Sequence, residues 1–145
     1  MGKISFETGV QEYDLNDAVK VRFNPTDLIF ARKVFDTVES LDNLQQQCAD
    51  RVATLDTQKD ALQIYQISDQ LEKDIREQLN NLFEFDVCTP LFGSMCVYAV
   101  SDGLPVWLNF LFAIIDELQG SFDAEKKKMN QRIQKYTAKY SGRLK

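Results

Sequence analysis

The chain has 145 residues, 44% hydrophobic and 27% charged, a composition that excludes wholesale disorder and suffices for one domain with a real core. Its net charge of −5 is unevenly spread: residues 1–120 carry nine lysines and arginines against twenty carboxylates, net −11, and residues 121–145 carry eight against two, net +6. Histidine is absent, which removes imidazole-based nucleophile activation, proton transfer and metal ligation.

Three cysteines, Cys48, Cys88 and Cys96, form no paired framework and read as reduced thiols in a cytosolic protein. They are spaced too widely for a zinc site, and no glycine-rich phosphate loop is present. The start, MGKISFETG, is polar and lacks the apolar run of a signal peptide. The expectation is a soluble protein of the cytoplasm, not an enzyme, with no cofactor, metal or membrane association.

Residues 3–23 read as β structure. Ile4 and Phe6 alternate with polar neighbours, Tyr13 and Leu15 follow, and Val19, Val21 and Phe23 alternate with Lys20 and Arg22. Gly9 marks a corner, and Asn16-Asp17 suits a tight hairpin turn because both residues tolerate left-handed backbone. Asn24-Pro25-Thr26-Asp27 reads as a helix start, with Asn24 as cap and Pro25 in the first helical position.

From Thr26 to Thr89 there is neither glycine nor proline, and the apolar positions follow helical spacing. Leu28, Ala31, Val34, Phe35, Val38 and Leu41 mark the first stripe; Ile64, Ile67, Leu71, Ile75, Leu79 and Leu82 mark the second. Thr57 with Asp60 suggests a break near 56–58, so residues 25–88 are expected to form a long helical hairpin, one unbroken helix being the alternative. Thr89-Pro90 is expected to end it, with Gly93 allowing a turn. Periodicity leaves residues 94–100 open between strand and helix, and Ser101-Asp102-Gly103 reads as the start of the next helix, with Pro105 in its first turn.

Segment 103–115, GLPVWLNFLFAII, holds the single tryptophan and no charge. It is shorter than the about 20 residues needed to cross a bilayer. On a helical wheel Leu104, Trp107, Leu108, Leu111, Ile114, Ile115 and Leu118 share one face, and Val106, Phe110 and Ala113 form a second stripe. So much apolar surface belongs either to a central helix of the monomer or to a helix shared with a second polypeptide. The second reading makes Trp107, Phe110, Leu111, Phe112 and Ile115 candidate partner-binding residues. Gly120-Ser121 is expected to break the helix before a basic tail, residues 121–145, with Phe122, Met129, Ile133, Tyr136 and Tyr140 on its apolar side. The tail cations Lys126, Lys127, Lys128, Arg132, Lys135 and Lys139 suit acidic helices of the same chain or an acidic partner; the acidic body opposes nucleic acid.

The expected architecture is therefore a single domain over 1–145, mainly α with a small N-terminal antiparallel β-hairpin. Its parts are 3–23, the helical hairpin 25–88, the apolar motif and core helix 89–120, and the tail 121–145. In order and motif, NPTDLIFARKVF followed by CTPLFGSMCVYAVSDGLPVWLNFLFAIIDEL resembles the small tail-assembly-chaperone-like proteins of long-tailed phages and prophages of Gram-positive bacteria. Cys88, Phe92-Gly93, Gly103 and the helix from Trp107 to Leu118 carry that resemblance. It implies a helical, non-enzymatic, often oligomeric protein that escorts the tape-measure or another tail protein, and no catalytic residues. Such families often make an extended product by ribosomal frameshifting, which a slippery adenine run encoding Lys126-Lys127-Lys128 would allow. Two alternatives stand beside it: a phage-encoded inhibitor whose acidic body occupies a host defence protein's basic groove, and a nucleic-acid-binding accessory protein acting through its tail.

Overall fold

A computed structural model describes residues 1–143, with side chains as far as Gln131. Its elements are β1 (Gln11–Leu15), β2 (Val19–Phe23), α1 (Leu28–Ala53), α2 (Ala61–Phe83), α3 (Cys88–Phe92), β3 (Val100–Ser101), β4 (Leu104–Pro105) and α4 (Val106–Arg143). The chain is mainly helical with a small antiparallel N-terminal sheet. No helix among the described residues is long and apolar enough to cross a membrane.

The β1–β2 hairpin pairs Tyr13 with Val21 and Leu15 with Val19. Asn16 and Asp17 turn the chain with φ of 52° and 56°, and Ala18 N–H donates to Leu15 C=O at 2.9 Å. Both central residues are left-handed, the turn whose twist matches the strands. Residues 3–10 depart from the expectation. They form no strand, and Ile4 and Phe6 lie exposed.

Helix α1 begins four residues after Asn24, and Asp27 is its cap, accepting from Ile29 N–H at 2.9 Å. Asn24 instead accepts from Thr26 N–H and Oγ1, both at 2.8 Å, while Asp27 N–H donates to Asn24 C=O. Pro25 thus sits in a turn ahead of the helix rather than in its first position. A break at 54–60 divides α1 from α2, as expected, but through Asp56 instead of Thr57. Asp56 accepts from Gln58 and Lys59 N–H, and Asp60 Oδ2 accepts from Asp56 N–H. The two backbone donors hold the Asp56 carboxyl below its ordinary range.

Helix α2 buries Ile67, Leu71, Ile75, Leu79 and Leu82 and ends at Phe83, before Thr89-Pro90. Its cap, Glu84, is left-handed at φ 64°. Only a few non-glycine residues tolerate that backbone, so Glu84→Gly is expected to raise stability by about 1 kcal/mol, read from the urea midpoint. Asn80 then organises the chain that follows: its Oδ1 accepts from Val87 and Cys88 N–H, and Nδ2 donates to Asp86. Asp86 in turn accepts from Thr89 N–H, which seats Pro90 in the first turn of α3, where no N–H is needed, and the Thr89 hydroxyl and then its N–H lower the Asp86 pKa.

Two further expectations are corrected. Asp102-Gly103, at φ 56° and 81°, makes a two-residue hairpin turn between β3 and β4, and α4 starts only at Val106. The first amides of that helix donate to the preceding loop, Val106 N–H to Ala99 C=O at 2.8 Å and Trp107 N–H to Val97 C=O at 3.0 Å. Gly120 lies inside a continuous α4, since a glycine costs a helix only about 1 kcal/mol.

The core gathers Val21 and Phe23 of the hairpin, Val34 and Leu41 of α1, Ile75 and Leu79 of α2, and Trp107, Leu111 and Leu118 of α4. Stacked and tilted rings run through it from Tyr13 to Phe23, Phe30, Phe83, Phe110 and Phe92, with centroids 4.5–6.4 Å apart. Cys88 is fully buried beside Arg76 C=O, and burial pushes its thiol up to about 12. Its neutral form therefore favours folding below about pH 9, and that contribution fades as pH rises toward 12. Iodoacetamide at pH 8 is expected to label the half-buried Cys48 and Cys96 in the native chain, and Cys88 only after unfolding.

Candidate functional site

Helix α4 turns its first apolar face inward. Trp107 is 1% exposed and Leu111 fully buried, both enclosed by the chain's own helices. The Trp107 indole N–H donates to Gln45 Oε1 of α1 at 2.7 Å, so even its polar edge is satisfied internally. This corrects the reading of Trp107 and Leu111 as partner-binding residues: they are core. Phe110 and Ile115 are half-buried, and Phe112 is 41% exposed.

The second stripe, Val106, Phe110 and Ala113, is left open. It forms one wall of a groove of about 470 Å³, whose other walls are Leu91 and Phe92 of α3 and Tyr13, Asp14 and Leu15 of β1. Tyr13 O–H donates to Glu117 at 3.0 Å and closes one end; burial and the neighbouring carboxylate raise the tyrosine pKa. Two acidic side chains, Asp14 and Glu117, stand at the groove, and no lysine or arginine among the described residues lines it.

A second apolar surface lies at the head of α1. Leu28 and Ile29 are 71% and 72% exposed, and Phe35, two turns after Leu28, is 54% exposed. The stripe drawn from sequence had placed Leu28 and Phe35 inward; in the folded chain Phe30, Ala31 and Val34 take that side. Eight apolar residues between 28 and 41 are more than one buried stripe can hold, and that excess was the available signal.

Lys126, Lys127 and Lys128 are exposed, and among the described residues Lys128 forms an ion pair with Glu125, on its own helix, at 3.7 Å. The side chains of Arg132, Lys135 and Lys139 lie outside the described residues. Among the described residues no three cysteine or carboxylate side chains converge as a metal site would need. Comparison of the chain with family models, with curated proteins and with solved structures returned no significant match.

Proposed function

We propose that this protein is a non-enzymatic tail-assembly chaperone of a long-tailed phage, which accepts a hydrophobic helical face of a tape-measure or other tail protein. The observation that carries the reading is the exposed apolar head of α1, with Leu28, Ile29 and Phe35 standing free on a helix. A helical client laid against such a face buries its own stripe, and the acidic body, net −11 over residues 1–120, keeps the pair in solution. Phe112 adds a further exposed ring on α4.

Co-expression with the products of neighbouring reading frames, followed by affinity capture, tests the proposal. Leu28→Asp with Phe35→Asp is expected to lower client retention about tenfold or more while leaving the far-ultraviolet circular dichroism unchanged. Phe112→Asp provides a separate reading of the α4 surface. Full retention by the double variant removes the α1 face from the mechanism.

A further inference from the structure

The first eight residues carry two large apolar side chains that the fold leaves uncovered: Ile4 is 92% and Phe6 81% exposed. They alternate with Lys3, Ser5 and Glu7, so an extended arm carries its apolar groups on one side and its polar groups on the other. Gly9, at φ 76°, sets the direction of this arm. A Cβ there would meet the Asn24 amide at 2.7 Å, and that amide donates to Thr8 C=O at 2.8 Å. The arm is thereby led toward the later turns of α4, where Glu7 lies near Ser121 and Lys128.

The groove has the complementary features. Tyr13, Asp14 and Leu15 line it in succession. Alternate residues of a strand face opposite sides, so this run, continued by Asn16 of the turn, means that the groove meets β1 from its side as well as from the inner face, where Phe23 of β2 also lines it. That side of β1 has no ladder partner among the described residues, because β1 pairs with β2 alone. Beneath it lies the open stripe of Val106, Phe110 and Ala113.

We infer that the arm of a second copy of this chain adds to the free edge of β1, extending the hairpin to three strands. Ile4 and Phe6 enter the groove beside Tyr13 and Leu15, covering Phe110 and Ala113, and the backbone of the arm completes the ladder of β1. Charge favours the seating that brings Lys3 of the arm to Asp14 and Glu117 of the groove and leaves Glu7, the arm's one carboxylate, beyond them. The groove is spatially separate from the α1 face assigned to the client, so the inference does not depend on the chaperone reading.

The test uses the full chain and two variants at exposed positions, Ile4→Asp with Phe6→Asp in the arm, and Ala113→Arg in the groove. Sedimentation and light scattering should give the parent at least twice the monomer mass, and each variant alone a monomer with unaltered circular dichroism. Mixed together, the two variants should regain a dimer, because the intact arm of one meets the intact groove of the other. A parent that stays monomeric at millimolar concentration overturns the inference, as do variants that keep the parent's mass or a mixture that stays monomeric. Loss of client capture by the arm variant without any change in mass would also overturn it, by assigning the arm to the client.

Discussion

Truncating Trp107 to alanine is expected to destabilise the chain by about 3–5 kcal/mol, the range for removing a large buried aromatic side chain. The indole lies between α4 and α1 with 1% exposure, and its N–H bond to Gln45 fixes the two helices in register. Trp107→Phe keeps most of the volume and loses that bond, so a smaller cost of about 1–2 kcal/mol is expected. Unfolding must be followed by circular dichroism, because the variants lack the only tryptophan. If Trp107 were instead a docking residue, alanine would weaken association and leave stability within about 1 kcal/mol of the parent. The two roles are thus separated by one denaturation curve.

Arg76→Ala is expected to cost about 2–4 kcal/mol, because this side chain holds an entire loop to α2. Its Nε donates to Glu72 at 2.8 Å, and Nη2 donates to Gly93 and Met95 C=O at 2.8 and 2.9 Å. Glu72 in turn accepts from Val97 N–H at 3.0 Å, and Val97 is wholly buried. Both charged side chains are less than one quarter exposed, so solvent screens them only in part. Glu72→Ala removes the other half of the clamp and leaves the guanidinium partly buried without its carboxylate. The double variant should therefore lose less than the sum of the two single losses. Lysine at position 76 cannot reach both carbonyls with a planar fork and is expected to restore only part of the stability. Thermal melts together with hydrogen exchange at the Val97 amide check these outcomes. Melting temperatures unchanged by Arg76→Ala would show the loop to be held by its apolar contacts alone.

Much of the architecture was legible in the residues, and the misreadings have specific causes. The Asn16-Asp17 turn, the division near residue 57 and the α2 stripe follow from local backbone preference and 3.6-residue periodicity. Asp102-Gly103 carried an equally local hairpin signal, yet the neighbouring serine and proline suggested a helix start. The structure gives the turn to the Asp-Gly pair, because both residues adopt the left-handed backbone that the hairpin needs. Asn24 illustrates a different competition: it has a capping side chain, but Asp27 caps the helix while Asn24 ties the arm to the turn. The candidate site was harder to read. Helical spacing identified both stripes of α4, and nothing in that spacing indicated which stripe other helices would cover.

By itself the sequence determined what short-range chemistry controls: a mainly helical chain with one N-terminal hairpin, a left-handed turn at Asn16-Asp17, and no histidine for imidazole chemistry. Only the tertiary structure decided which apolar surface is spent on folding and which is left over. Trp107 and Leu111 meet α1 and the rest of the core, whereas Phe110, Ala113, Leu28 and Phe35 border open grooves or solvent. The reason is physical: the hydrophobic effect rewards burial without specifying a partner, so only packing geometry tells a core residue from an interface residue.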